Sequence, residues 1–553
     1  METENQRRER DVVVVGSGVG GLAGAVTAAT EDDCSVTVLE KAPVLGGSSG
    51  LSGAQLWVPA NRHMRQRGLD DSIERAVDYL TDIAGEFYAN REAARWLVDH
   101  SNEAITYFED VADLSVQILE RIPDYHGHSP GAKDEGRYLE PQPLDSAEIP
   151  DWADLPDSPH LPGGATTTEL LEWGGALTPR VWDWDLIQRR RSEGIVTMGT
   201  ALIGYFLRAT ESLDIEVHAD AGVTGLLTDG DNVVGVEVDA IDGPAEVLAR
   251  NGVLLNTGAY DWNDSMIENF EGTPAEDVVS SAIPTATGDG LRMAALEGAK
   301  LGVYPPIGGA KGFFVAVPDR EFLGAPLYRY CYNVGLPHAL AVNSGGERFC
   351  DESFYPKQAS EFYDPSGEYD EFPFHMVFDE TYRQTYAIGN YRPGADYPEA
   401  FLAGSADTLR ELANRIDVPA DALEATVERF NQHARDGTDP DYGRGENEWA
   451  HVWCGDPGHD PNPNLGPVEN PPYYAVQLYV GLSSMSNTGL VTDRRGSVLN
   501  WNDDAIDGLY ATGSVTAPVE WGVGYQSGLQ NARSMTYGYL AGLEIAGRSD
   551  NAS

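Results

Sequence analysis

Four consecutive valines, Val12 to Val15, run directly into Gly16-Ser17-Gly18-Val19-Gly20-Gly21. A continuous β-branched run predicts a strand buried on both faces of a parallel sheet. The Ala-rich stretch Leu22 to Thr30 then reads as a helix, and Ser35 to Leu39 as a second strand ending at Glu40. Together they form a βαβ unit with Gly-x-Gly-x-x-Gly at its first turn and an acid about 20 residues on, the fingerprint of dinucleotide binding. The glycines let the backbone approach a pyrophosphate, and the helix N-terminus supplies partial positive charge. Glu40 is expected to accept hydrogen bonds from ribose hydroxyls.

A second small-residue loop follows, Lys41-Ala-Pro-Val-Leu-Gly46-Gly47-Ser48-Ser49-Gly50-Leu51-Ser52-Gly53. It suits backbone amides and hydroxyls lying against a flat ring or a ribityl tail, and a domain that binds NAD alone has no need of it. FAD is therefore the expected cofactor.

The Gly16 to Gly21 turn, Glu40-Lys41 and Gly46-Gly47-Ser48-Ser49 resemble the fumarate reductase and succinate dehydrogenase flavoprotein superfamily, especially its 3-ketosteroid Δ1-dehydrogenase-like branch. Pro123-Asp-Tyr125-His126, Asn256-Thr-Gly-Ala-Tyr-Asp-Trp-Asn263, Thr287-Gly-Asp289-Gly, Val342-Asn-Ser-Gly-Gly-Glu-Arg-Phe349 and Gly508-Leu-Tyr-Ala-Thr-Gly513 extend the likeness over nearly the whole chain. The resemblance implies an α/β fold: a Rossmann-like, glutathione-reductase-type FAD domain interrupted by an inserted α+β cap or substrate domain. The expected division is 1–303 for the first part of the FAD domain, 304–471 for the cap, and 472–553 for the returning part. It also implies flavin contacts at Gly16, Ser17, Gly18, Gly20, Gly21, Glu40, Lys41, Gly47, Ser48, Ser49 and Gly53, with Val223, Gly258, Asp289, Gly513, Gly528 and Leu529 in addition. Gly50 to Ala54 lacks the histidine of relatives with covalent flavin, so non-covalent FAD is expected.

At 553 residues the chain exceeds one ordinary core, and at least two domains are expected. Its 88 Asp+Glu against 37 Lys+Arg give a formal charge of -51, which disfavours nucleic acid and anionic membrane surfaces as partners. Only Lys41, Lys133, Lys300, Lys311 and Lys357 are lysines. Many carboxylates with few lysines resemble proteins of a halophilic, salt-rich cytoplasm. Cys34, Cys331, Cys350 and Cys454 lie far apart without CxxC spacing, so neither a metal site nor a disulfide framework is expected. The N-terminus lacks a signal-length apolar run and no stretch approaches a membrane span, which fits a cytoplasmic protein. Strands are expected around Ile215 to Val223, Val233 to Val238 and Val253 to Asn256, helices at Ala406 to Ile416 and Ala420 to Ala434, and an exposed loop at Asp151 to Pro162.

Flavin chemistry on a carbon–carbon bond needs a hydride site, a proton donor or acceptor, and a group that polarises an adjacent carbonyl. Where dicarboxylate reducers of the superfamily carry an arginine in the last glycine-rich turn, this chain has Trp521-Gly-Val-Gly-Tyr525-Gln-Ser-Gly528-Leu529. A phenol with a backbone N–H suits a neutral ketone, whereas an arginine fork selects a carboxylate. The resemblance assigns carbonyl polarisation to Tyr525 with the amide of Gly528 or Leu529, and proton transfer to Tyr355 assisted by Tyr125. Pro356 stands where the family usually has its tyrosine, and His126 is a further candidate assistant. The expected reaction is oxidoreduction of a CH–CH or C=C bond beside the carbonyl of a small apolar, ketosteroid-like or cyclic ketone substrate. The alternatives are a fumarate- or enoate-type reductase using Arg348 or Arg533, and an electron-transferring flavoprotein subunit; the electron acceptor is open. Trp57, Trp152, Trp173, Trp182, Trp184, Trp262 and Tyr479 are the expected pocket aromatics.

Overall fold

The computed structural model describes residues 6–156, 158–240, 245–363, 369 and 372–547. The valine run forms the end of the strand Gln6–Val15, with Val36–Leu39 parallel on one side and Ala245–Leu255 parallel on the other. Glu216–His218 extends the sheet beyond Val36–Leu39, and Ala505–Ala511 and Ser497–Leu499 extend it beyond Ala245–Leu255. Successive side chains of a strand point to opposite faces. Val12 and Val14 accordingly pack in the core formed with the helices Val19–Asp32 and Leu529–Ala546. Val13 and Val15 face the opposite core, which includes Val223, Val236 and Val238 of an antiparallel ribbon. That two-sided burial explains why the strand reads as an unbroken apolar run.

The helix after the glycine turn spans Val19–Asp32, longer at both ends than its Ala-rich centre. The stretch expected as one strand over Ile215 to Val223 is two, Glu216–His218 and Ala221–Asp229, separated at Asp220, whose φ is 51°. The C-terminal helix Leu529–Ala546 returns the chain to the first sheet, as an interrupted domain requires.

A second, mainly antiparallel sheet runs in the order Ala325–Tyr330, Gly312–Phe322, Tyr473–Leu482, Phe374–Asp379, Ala339–Val342. Val278–Ser280 and Gly404–Ala406 also pair with Tyr473–Leu482. Two strands of this sheet thus lie outside the stretch 304–471, one before it and one after. Helices Leu409–Arg415 and Ala420–Asp436 cover one face, the first capped by the Thr408 hydroxyl, which accepts from Glu411 N, and the second ended by Gly437 with φ 72°. The four cysteines are buried and unpaired in disulfides. No helix among the described residues is long and apolar enough to cross a membrane.

Candidate active site

A cavity of about 1200 Å³ runs from the glycine loops of the first sheet to the second sheet. It exceeds the roughly 300–1,000 Å³ typical of a single small-molecule site, so it has room for a cofactor and a substrate together. Gly16, Gly18, Glu40, Lys41, Gly47, Ser48, Ser49, Gly53, Val223, Gly258, Asp289, Gly513 and Gly528 line it. Gly16 turns with φ 101°, and a Cβ there would lie 2.3 Å from the carbonyl oxygen of Asn256, so the turn admits only glycine without rearrangement. Ser17, Gly20, Gly21 and Leu529 do not line the cavity. Ser17 acts behind it: its N–H and hydroxyl donate to Glu40 Oε2 at 2.9 and 2.7 Å, while Ala42 N–H donates to Oε1 at 2.8 Å. Glu40 is therefore fixed at the end of its strand with lone pairs left for a sugar. Asp289 is held by Lys41 Nζ at 2.8 Å and by the Thr287 hydroxyl at 3.0 Å. The glycine turn, the N-terminus of the Val19–Asp32 helix and the size of the cavity fit FAD.

At the other end of the cavity the structure gathers the three tyrosines singled out from the sequence. Tyr125 Oη and Tyr355 Oη lie 3.0 Å apart. The Tyr525 ring centroid is 5.8 Å from that of Tyr125 and 5.6 Å from that of Tyr355. Burial pushes all three phenols above their ordinary range, Tyr125 and Tyr355 far above it, and neighbouring phenols add to the rise in those two. Contacts with Tyr355 and Ser527 partly offset burial at Tyr525. All three phenols thus hold their protons at neutral pH.

Gly528 precedes the C-terminal helix with φ 77°, and its carbonyl accepts from Trp57 N at 3.0 Å. The Leu529 N–H is engaged with Gln526 O at 3.2 Å. Of the two amides considered from the sequence, only that of Gly528 both borders the cavity and makes no hydrogen bond to another described residue.

What holds the tyrosines was not apparent from the sequence. Gln526 is fully buried, and its Oε1 accepts from Tyr125 N at 3.0 Å and from the Tyr79 hydroxyl, while its Nε2 donates to Tyr138 Oη. Asp124, next to Tyr125, accepts from Trp57 Nε1 at 2.8 Å and Arg137 Nη1 at 2.7 Å, and Arg137 also grips Asp71. Asn447 donates to the Tyr125 carbonyl at 2.9 Å. His126 touches the Tyr525 carbonyl through Nε2 at 3.2 Å, and burial lowers its pKa, so it braces the loop as a neutral ring.

Several expectations are corrected. Of the aromatics expected in the pocket only Trp182 and Trp184 line it; Trp57 is core, and Trp152 is exposed. The other lining aromatics are Tyr330, Tyr332, Tyr391, Trp449 and Trp453 beside the three tyrosines. The loop expected to be exposed over Asp151 to Pro162 contributes Ser158 to Pro162 to the cavity wall. Arg348 is buried against Glu352 and Asp439, and Arg533 against Glu520. Neither reaches the cavity, which removes the carboxylate clamp of the reductase alternative.

The fold and this cavity define an FAD-binding flavoprotein. The chain belongs to the FAD binding domain family, whose model matches residues 11–527. It is similar to 4-oxocyclohexanecarboxylate 2-dehydrogenase of Sinomonas cyclohexanicum, 33% identical over 98% of this chain and 94% of the relative. It is 32% identical to a 3-oxosteroid 1-dehydrogenase of Mycobacterium tuberculosis, covering 98% of both chains. Its structure resembles the crystal structure of 3-ketosteroid delta1-dehydrogenase from Sterolibacterium denitrificans in complex with 1,4-androstadiene-3,17-dione, with a TM-score of 0.85, 28% identity, and coverage of 98% of this chain and 100% of that one. The protein is an FAD-dependent oxidoreductase.

Proposed function

We propose that the protein is a dehydrogenase that introduces a C=C bond beside the carbonyl of a cyclic ketone. The observation that carries this reading is the convergence of the Tyr125, Tyr355 and Tyr525 side chains at one end of the flavin cavity, next to the Gly528 amide. The names of the relatives, which act on an oxosteroid and an oxocyclohexanecarboxylate, support it.

Tyr525 O–H and Gly528 N–H donate to the ketone oxygen, which acidifies the adjacent C–H by stabilising the developing enolate. Burial favours the neutral phenol, and a neutral phenol is what a donor to a ketone must be. Tyr355 acts as its phenolate: its own proton leaves first to solvent in the cavity it lines, the Tyr125 hydroxyl holds the phenolate by donating to it, and the phenolate then takes the proton from the carbon next to the carbonyl and returns to the neutral phenol. The neighbouring carbon gives up its hydrogen as hydride, which FAD accepts when bound. Gln526, Asp124 and Asn447 act through Tyr125 by fixing its backbone, and are positioning residues. FAD binds non-covalently, since Gly50 to Ala54 offers no histidine for attachment. The cap centres on 304–471, and the acidic exterior suits a cytoplasm of high salt.

Anaerobic bleaching of the bound flavin by a panel of ketosteroids, cyclic ketones and succinate-like acids tests the reaction. Ketones are expected to bleach it; bleaching by the succinate-like acids alone refutes the reading. Tyr525→Phe is expected to slow bleaching by roughly 10²- to 10³-fold with FAD affinity nearly unchanged. Equal losses in both would make Tyr525 structural.

A further inference from the structure

Arg329 is an anomaly in a chain so rich in acid. It sits in the strand Ala325–Tyr330 and lines the cavity, half-buried. The arginines buried among the described residues, Arg137, Arg348, Arg444 and Arg533, each hold at least one carboxylate. Arg329 holds none among the described residues. Its Nη1 donates to Gly389 O at 3.3 Å and its Nη2 to Pro159 O, while Nε is buried without a partner. Burial and then the nearby Arg320 charge both push its pKa down, the opposite of what a bound acid would do. A guanidinium stays charged in proteins, and a desolvated charge without a counter-charge is costly.

A second polar atom waits at the same place. His160 lines the cavity, and its Nδ1 is buried with no hydrogen-bond partner. Glu40 and Asp289 are the carboxylates lining the cavity among the described residues, and both belong to the glycine-loop end already described. Among the described residues no carboxylate is placed to neutralise Arg329, so a ligand that brings a negative charge would complete the site. Arg329 lines the same cavity as Tyr525 and Tyr355.

We propose that Arg329, with His160 beside it, binds a carboxylate of the substrate, so that the enzyme acts on oxo acids whose ring ketone meets Tyr525 and whose carboxylate meets Arg329. This rests on the reading of the tyrosines as a ketone site. A guanidinium pairs with a carboxylate through two parallel N–H donors, and a neutral ketone would leave it uncompensated. The same guanidinium chemistry would also suit a phosphate of FAD, so the test must separate the two.

The FAD-loaded enzyme is titrated with phenols that mimic the enol and cannot reduce flavin: 4-hydroxybenzoate against its methyl ester, and 6-hydroxy-2-naphthoate against its methyl ester. The flavin absorbance shift reports binding. For at least one pair the acid is expected to bind about 10- to 100-fold tighter than the ester, the range of a charge-assisted hydrogen bond. Arg329→Gln should bring that acid to the level of its ester, leave the ester within about twofold, and retain FAD; Arg329→Lys should restore part of the preference. Equal binding of acid and ester in both pairs overturns the proposal, as does an Arg329→Gln variant that weakens the ester as much as the acid. Loss of FAD from that variant, with the acid preference kept after reconstitution, overturns it in favour of a cofactor contact. The titration involves no turnover, so acid preference with an unaffected Tyr525→Phe bleaching rate would retain the anion site and reject the tyrosine reading, and the reverse result would do the opposite.

Discussion

The hydroxyl oxygens of Tyr125 and Tyr355 lie 3.0 Å apart, although the residues stand 230 positions apart in the chain. One comes from the loop before the Tyr138–Pro141 strand, the other from the first turn of the helix Tyr355–Glu361. The geometry resolves a difficulty with a tyrosine base. Burial alone keeps either phenol protonated and leaves little phenolate to act as base, but a phenolate on Tyr355 is stabilised by the hydrogen bond that the Tyr125 hydroxyl donates to it.

The pair should therefore act as a unit. Tyr355→Phe is expected to slow flavin reduction in single turnover by roughly 10²- to 10⁴-fold, the range of general base catalysis. Tyr125→Phe should cost less, about tenfold, one hydrogen bond to the developing charge. The double variant should be no slower than Tyr355→Phe alone, because Tyr125 has nothing left to stabilise. Multiplicative losses would mean that the two phenols work independently.

Gln526, fully buried, links the backbone of Tyr125 to the hydroxyls of Tyr79 and Tyr138 across about 400 positions of sequence. In Gln526→Leu those three groups lose their buried partner, at about 1–3 kcal/mol for each one left unsatisfied. A stability loss of roughly 3 kcal/mol in urea unfolding of the FAD-loaded protein is expected, with a fall in turnover at saturating substrate. Gln526→Glu, which keeps the acceptor oxygen, should retain more of both. A variant with normal stability would show that the network has another anchor.

The sequence made the cofactor end of the site legible, and the reason is physical. Glycine turns, buried strands and a strand-end acid are local patterns, read within some 40 residues. Tyr525, Tyr355 and Tyr125 came from family resemblance and their convergence from the fold. Gln526, Asp124 and Arg137 were missed as a set because buried polar networks join distant segments and leave no periodic trace. The aromatic lining was misassigned because a tryptophan's type does not say which face of an element carries it: Trp57 points into the core beside Tyr79 at 5.9 Å, whereas Trp449 packs at a tilt against Tyr125 with ring centroids 4.3 Å apart. Arg329 carried no sequence signal, since only the fold shows that no carboxylate among the described residues pairs with it.

Gly528 offers a test of the oxyanion donor. A Cβ at this position would lie 2.7 Å from Trp57 N, and the φ of 77° is one that side chains rarely adopt. Gly528→Ala should strain the turn by about 1–3 kcal/mol and swing the amide away from the ketone. The expected result is a fall in turnover of at least roughly tenfold, with FAD still bound, because the glycine loops of the cofactor end are untouched. Unchanged turnover would assign the second donor elsewhere.

Asp261 sets a pH dependence of stability. It is buried, it accepts from Ser280 Oγ at 3.0 Å and from the N–H of cavity-lining Ser484 at 2.8 Å, and burial raises its pKa from 3.8 to about 6. Between those two values the folded state binds a proton that the unfolded state has lost, so this residue's contribution falls as pH rises through the window. Above pH 6 the folded protein must bury a charge, at a cost of up to roughly 3 kcal/mol. Asparagine keeps the acceptor oxygen and cannot ionise. Asp261→Asn should therefore equal the parent near pH 4 and become progressively more stable than it up to about pH 7, measured as the difference in urea midpoints across the range. A constant difference at every pH would show that the carboxyl stays ionised throughout and that its hydrogen bonds outweigh burial.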